Sequence, residues 1–172
     1  QRLRLAIRVA HRASRQRYYR TPVATIENVD APLTAGGTRF CPGVNGGVEW
    51  NGPAYDPSQN LLIVGATDWC SSVQVVRAEK LTGRAGGFFA GAVQGFGTLD
   101  PVAKWQGWLT AIDADSGAVK WKYRSPMPML AGVTPTSGGV VFTGELNGDA
   151  IALDVKSGKV LWRHATGNAI GG

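Results

Sequence analysis

A chain of 172 residues is long enough for one domain with a sizeable core. Its 24 glycines and six tryptophans are typical of short strands joined by tight turns rather than of a helical bundle. No apolar run approaches the roughly 18 residues of a membrane span, so we expect none. The formal net charge of +6 is uneven, because the first 20 residues contain seven arginines and no acid, whereas the other 11 basic residues face 12 acidic ones.

The arginine-rich residues 1–20 lack the continuous apolar stretch of a secretory signal, because arginine interrupts them every few positions. A basic arm of this kind can bind nucleic acid or anionic lipid. No nucleic-acid-binding module follows it, so we expect no nucleic-acid partner.

Cys41 and Cys70 are the two cysteines of the chain, and they flank a predicted strand. They can form a disulfide if their Cα atoms lie within about 7 Å, or they can remain buried thiols. His11 and His164 are not at a ligand spacing, so we predict no metal site. No C-x-x-C-H sequence is present, which excludes covalent haem in this segment.

Residues 83–104 begin with a stretch rich in glycine and phenylalanine, in which no strand pattern is visible. This segment predicts a long loop inserted between two structural units. Such loops are common sites of function.

The last third of the chain contains a repeat. Leu109–Trp121 and Ala150–Trp162 align without a gap at an offset of 41 residues, and both fit A-φ-D-x-x-S-G-x-V-x-W. Each copy predicts a β-hairpin in which the Asp binds turn amides, the Gly allows the turn and the Trp anchors the second strand. Between the copies lie a strand pattern at 138–144 and an Asn-Gly turn at 146–149.

Four short strands in about 40 residues is the spacing of a β-propeller blade. A β-sandwich with a chance repeat is the alternative. Residues 1–20 contain a degenerate copy, in which His11, Ser14 and Tyr19 occupy the Asp, Ser and Trp positions and Arg15 replaces the turn glycine. We therefore divide the chain into an atypical basic blade edge (1–20), blade material with both cysteines (21–82), the inserted loop (83–104) and two W-motif units (105–172).

Several ordered segments resemble the quinoprotein alcohol dehydrogenases, which depend on pyrroloquinoline quinone (PQQ). The repeat resembles the tryptophan-docking motif of that family, and Phe40–Pro57 is similar to its F-C-P-x-x-x-G-G-x-N-W segment. The stretches at 123–126, 132–136, 139–144 and 167–172 resemble its C-terminal half.

The resemblance implies an all-β fold of about four blades, each of four antiparallel strands, from an eight-bladed propeller with PQQ at its axis. It also implies a Cys41–Cys70 disulfide and hence the periplasm, or the periplasmic face of the inner membrane. The family's calcium ligands and its Asp base lie in the N-terminal part. We therefore expect no catalytic residue and no metal ligand in this chain, and no activity from it alone.

The expected cofactor contacts are Glu49, Trp50, Asn51 and Leu130. The paired Gly46 and Gly47 allow close approach of a flat ligand, and the Trp50 ring can stack on it. Glu49 departs from the family's Asn, and an ionised carboxylate there would repel the tricarboxylate cofactor. The alternatives are that Trp50 is a core aromatic, Glu49 an exposed strand residue and Leu130 a plain core residue.

Two functions follow from these observations. The first is part of an enzyme that oxidises an alcohol with PQQ and passes electrons to cytochrome c or quinone, together with the remaining propeller blades. The second is a non-catalytic propeller that serves as a binding or assembly scaffold, since blade motifs alone fit both.

Overall fold

The structure is a computed structural model that describes residues 7–10, 17–83 and 85–171. These residues form strands and two single 3-10 turns, at Ala78–Lys80 and Val102–Lys104. In chain order the strands are β1 (Ile7–Ala10), β2 (Arg17–Thr21), β3 (Thr38–Phe40), β4 (Pro53–Asp56), β5 (Leu61–Asp68), β6 (Ser71–Val73), β7 (Thr98–Leu99), β8 (Gln106–Asp113), β9 (Val119–Ser125), β10 (Thr134–Pro135), β11 (Val140–Gly144), β12 (Asp149–Asp154) and β13 (Val160–Ala165). No helix in the described ranges is long and apolar enough to cross a bilayer.

Two four-stranded antiparallel sheets form the body of the molecule, with strand orders β4-β5-β8-β9 and β10-β11-β12-β13. The repeat occupies the same position in both, because Trp121 pairs with Ala111 and Trp162 with Ala152. Each sheet also has its β-bulge immediately after that alanine. The prediction of successive blades of like design is therefore confirmed.

The hairpin turns form as their sequence predicts. The Oδ1 atom of Asp113 accepts hydrogen bonds from the backbone N–H of Ser116 at 2.9 Å and from its hydroxyl at 2.8 Å. These bonds, followed by those of Lys120, lower the pKa of Asp113 to about 2. Asp154 binds Ser157 in the same way, at 2.8 and 2.6 Å.

Aromatic rings connect each sheet to the next. Trp121 is buried and lies against Gly158. A Cβ added at Gly158 would be 2.5 Å from the Cε3 atom of Trp121. Its indole N–H donates to the carbonyl oxygen of Val155 at 2.8 Å. The two sheets consequently pack face to face around one apolar core, which contains Leu61, Ile63, Leu109, Ala111, Trp121, Met129, Val141, Ile151, Leu153 and Val155.

Tyr19 makes the equivalent contact one sheet earlier. A Cβ at Gly117 would be 2.3 Å from the Tyr19 ring, and the Tyr19 hydroxyl donates to the carbonyl oxygen of Ala114 at 2.9 Å. The hairpin of β1 and β2 is thus placed as the edge of a preceding blade. The predicted roles of His11, Ser14 and Arg15 fall outside the described residues.

Trp162 differs from its repeat partner in burial. Its side chain is 49% exposed and stacks on His164, with ring centroids 5.8 Å apart. Of these two tryptophans, Trp121 is therefore buried between the described sheets and Trp162 is half-exposed.

The inserted segment lies inside a blade and not between two blades, which corrects the expectation from the sequence. Leu61–Asp68 pairs directly with Gln106–Asp113, so the intervening residues leave and rejoin the same sheet. Two strands of this segment, β6 and β7, join β3 in a small separate sheet with the order β3-β6-β7. The physical reason is that long-range strand pairing, and not position along the chain, decides which strands are neighbours.

Candidate functional site

The predicted cofactor segment lies where the first strands of the two large sheets meet. Residues 46–51 lead into β4, residues 129–132 lead into β10, and β4 and β10 are neighbours. The Asn51 amide donates to the carbonyl oxygens of Ala131 at 3.0 Å and Met129 at 3.4 Å. The structure therefore brings three predicted positions, Glu49, Asn51 and Leu130, to one place.

Glycine allows this close approach. A Cβ at Gly65 would lie 2.9 Å from the Asn51 amide nitrogen and 3.5 Å from the Met129 Cβ. Thr67 fixes the other end of the segment, since its N–H donates to Gly47 at 2.9 Å and its hydroxyl to Gly46 at 3.1 Å. The backbone of residues 46–51 is therefore held against β5 from both ends.

Two oxygens in this segment are buried and unpartnered. Within the described residues, the Oε1 atom of Glu49 and the Oδ1 atom of Asn51 accept no hydrogen bond. Burial raises the pKa of the Glu49 carboxyl. A buried polar atom without a partner is unfavourable unless a ligand or water satisfies it, so this pair indicates a binding site.

Other acidic side chains in the two blades are satisfied by protein groups. Asp68 accepts hydrogen bonds from Thr25, Gln106 and Trp108, at distances from 2.6 to 3.2 Å. Glu145 is fully buried and accepts a hydrogen bond from the Tyr123 hydroxyl at 2.9 Å.

Arg163 also bonds Glu145, together with Asp149 and the Tyr123 hydroxyl. Sequence reasoning missed both clusters. Their signal is an acid at the end of a buried strand, and their complete hydrogen bonding indicates a structural role.

The remaining predicted contacts differ in accessibility. The Trp50 side chain is 72% exposed, so its ring is free to cover a planar ligand and is not the core aromatic of the alternative interpretation. Leu130 is 8% exposed and lies within the packed interior. It can offer a ligand only a small apolar surface, and the plain core role is the one that its burial favours.

A disulfide secures the base of the segment. The structure joins Cys41 to Cys70, with their Cα atoms 4.5 Å apart, which agrees with the pairing that the resemblance implies. Phe40 pairs with Ser71 beside this bridge, and the Gly43 N–H donates to Trp69 at 3.0 Å. The chain that enters the site is thus anchored at the end of β5.

An apolar cleft of about 370 Å³ adjoins the same segment. It is lined by Asn28, Val29, Ala31, Leu33, Phe40, Pro42, Gly43, Val44 and Gly46. Gly46 lines this cleft and also belongs to residues 46–51. No group of three or more potential metal ligands occurs among the residues that the structure describes.

Comparison with known proteins gives the family. Residues 6–95 match the family model described as the β-propeller domain of glucose, ethanol and alcohol dehydrogenases that use PQQ. This chain belongs to the PQQ-dependent alcohol dehydrogenase family. Residues 106–172 also match the model of the outer membrane protein assembly factor BamB.

Individual members of the PQQ-dependent family agree. The chain is 36% identical over 125 residues to the quinoprotein ethanol dehydrogenase of Pseudomonas aeruginosa. The aligned region covers 73% of this chain and 19% of that protein. It is 34% identical, with the same coverage, to the 1-butanol dehydrogenase (quinone) of Thauera butanivorans. The chain thus spans about a fifth of the length of these relatives.

The solved structure of a europium-containing methanol dehydrogenase superposes on 94% of this chain and 31% of its own, with a TM-score of 0.73 and 26% identity. The expected β-propeller fold and the recognition of the family are confirmed. The roles of Glu49, Trp50, Asn51 and Leu130 toward a cofactor stay predictions.

Proposed function

We propose that this chain is part of a dehydrogenase that oxidises an alcohol with PQQ, and that residues 46–51 form part of the PQQ pocket. The observation that carries the proposal is the pair of buried, unpartnered oxygens on Glu49 and Asn51 beside the exposed Trp50 ring. They lie where two blades meet, in a chain of the PQQ-dependent family.

The residues present fit the cofactor if Glu49 is protonated. An ionised Glu49 would repel the carboxylates of PQQ, whereas its raised pKa favours the neutral acid, which donates a hydrogen bond instead. The Asn51 amide nitrogen is already engaged, so its free oxygen offers an acceptor to a ligand N–H group. Trp50 supplies a flat face for stacking.

PQQ, when bound, would accept the two electrons of the alcohol, so the protein residues position and bind rather than carry the redox change. The acids of the two blades that we describe are engaged in turns or buried networks, and none is nominated as the base. We place the base and the calcium ligands in other parts of the protein. The disulfide favours the periplasm, with cytochrome c or quinone as acceptor.

A non-catalytic scaffold is the second candidate, and the match of residues 106–172 to the assembly-factor model favours it. That match excludes the disulfide and the segment at 46–51. The unpartnered hydroxyls of Thr110 and Thr143 lie apart, on β8 and β11. A scaffold has no need of two unpartnered oxygens in one short segment, as on Glu49 and Asn51, whose desolvation costs about 1–3 kcal/mol each. The dehydrogenase is therefore the better supported of the two.

The test uses the full-length protein loaded with PQQ and calcium. We expect alcohol-dependent dye reduction and quenching of tryptophan fluorescence when PQQ binds. Trp50→Ala is expected to weaken PQQ binding, and Tyr55→Ala serves as the control because Tyr55 is an exposed aromatic residue on β4, outside residues 46–51. Absence of both dye reduction and quenching would reject the dehydrogenase in favour of the scaffold.

The pH dependence tests the role of Glu49 separately. PQQ affinity is expected to be highest where Glu49 is protonated and to fall as pH rises through its raised pKa. Glu49→Gln keeps a neutral hydrogen-bond donor, so that variant should bind PQQ with a flatter pH profile. An unchanged profile in Glu49→Gln would contradict this role.

A further inference from the structure

The segment inserted between β5 and β8 presents a patch of exposed apolar side chains, which we call the phenylalanine loop (residues 81–97). Phe88, Phe89, Phe96 and Val93 are 72%, 57%, 66% and 56% exposed. The Phe88 and Phe96 rings lie together, with centroids 5.1 Å apart. Large apolar side chains clustered on a surface mark an interaction site more often than a scatter of single ones.

This patch is not a face on which a neighbouring blade packs. The sheet that carries the insertion is covered on one face by the sheet β10-β11-β12-β13, through Trp121. Its other face is covered by the chain around Tyr19 and Val23. Both faces of this blade are therefore occupied, and the phenylalanine loop projects from it elsewhere.

The base of the insertion is fixed although its apolar end is exposed. Arg39 forms an ion pair with Asp100 at 2.7 Å, and the Trp105 indole donates to the Asp100 carbonyl at 2.7 Å. The N–H groups of Val76 and Val93 bond Gly91 and Gln74 at 2.9 and 2.8 Å. The loop is thus presented from a braced stem, which lowers the ordering cost of binding.

The charge around the loop is basic. Between residues 77 and 99 the sequence contains three basic residues and a single acid, Glu79. Arg77 and Lys80 are exposed just before the loop, and Lys104 is exposed a few residues after it. Aromatic side chains flanked by cations are the chemistry that binds the interface of an anionic bilayer.

We propose that the phenylalanine loop docks this protein onto the surface of a membrane that contains anionic phospholipids. Phe88, Phe89 and Phe96 enter the interface, and Arg77 and Lys80 pair with phosphate headgroups. The bilayer is favoured over a protein partner because the three phenylalanines are exposed at a glycine-rich tip and exposed cations flank them. The proposal does not depend on PQQ or on catalysis.

The experiment is co-sedimentation of the full-length protein with vesicles of phosphatidylcholine alone, or with phosphatidylglycerol added. We expect binding to the anionic vesicles that weakens as salt rises and that is weak on phosphatidylcholine alone. Replacing one phenylalanine that enters the bilayer interface lowers the affinity for vesicles about tenfold. Phe88→Ser with Phe89→Ser should therefore abolish sedimentation. Val119→Ser is the control, since Val119 is 46% exposed on β9, in the blade whose two faces are both covered.

Each other outcome has a definite meaning. Equal binding of the double variant and the wild type would overturn the proposal, as would a wild type that stays in solution with anionic vesicles. Binding that ignores lipid charge would also overturn it. Near-ultraviolet circular dichroism of the double variant, compared with that of the wild type, verifies its fold without relying on catalysis. A changed KM for a protein electron acceptor without vesicle binding would assign the loop to a protein partner instead.

Discussion

The contact between Trp121 and Gly158 should be sensitive to a single methyl group. Gly158 has φ +69°, and its Cβ position lies 2.5 Å from the Trp121 ring. Alanine in the left-handed region costs about 1–2 kcal/mol, and overpacking adds about 1–3 kcal/mol. Gly158→Ala is therefore expected to lower the free energy of unfolding by about 2–5 kcal/mol.

Gly167 offers the matched control. It has φ +84° and no atom within 4 Å of its Cβ position, so Gly167→Ala should cost about 1–2 kcal/mol, from backbone strain alone. The assay is urea unfolding followed by tryptophan fluorescence, with the shift of the midpoint compared between variants.

A double-mutant cycle separates the clash from other effects. Trp121→Ala removes the ring that the new methyl group would meet, so Gly158→Ala should cost about 1–3 kcal/mol less in that background. Additive effects of the two substitutions, or equal costs for Gly158→Ala and Gly167→Ala, would refute the contact as the link between the sheets.

Two further predictions concern stability. Removing the bridge by Cys41→Ser with Cys70→Ser should cost about 3–4 kcal/mol, because the bridge closes a loop with a sequence separation of 29; reductant should destabilise the wild type and leave this variant unchanged in a thermal melt. Burial, followed by the bond to Glu145, raises the pKa of Tyr123 from 10.0 to about 12. The neutral Tyr123 hydroxyl therefore contributes fully to the free energy of unfolding below pH 10, and this contribution is lost as pH rises toward about 12. Tyr123→Phe should remove that alkaline loss, and an unchanged profile would contradict it.

The repeated half of the fold was predictable because its signals are local and periodic. Asp113 and Asp154 bind turn hydroxyls and amides as their spacing predicts, and Trp121 packs on the next hairpin. Even Tyr19, in a copy without the turn glycine, docks as a tryptophan would. The residues that recur every 41 positions therefore predict how the aromatic ring of one sheet contacts the hairpin turn of the next.

The place of the insertion was not predictable, because it depends on long-range pairing. Leu61 pairs with Asp113, and Val140 with Asp154. Leu61 and Val140 thus occupy equivalent positions 79 residues apart, where the repeat alone would give 41. Hydrophobic periodicity within a short window contains no information about which distant strand is the partner.

The candidate site was predictable in location and not in detail. The Gly46-Gly47 pair and the resemblance of the segment around it predict cofactor contacts at Glu49, Trp50 and Asn51. The sequence cannot tell which oxygens remain without a partner, because that depends on the backbone of residues 129–131 across the blade contact. It also leaves undecided whether Leu130 lines a pocket, and its burial favours the interior.

The insertion between β5 and β8 has a consequence for how this blade can vary. Its two ends return to paired positions, Asp68 opposite Gln106, so a change in loop length leaves the strand register intact. Doubling the length of a flexible loop costs only about 0.6 kcal/mol in closure entropy. The blade can therefore exchange one surface chemistry for another at this position while its own architecture is conserved.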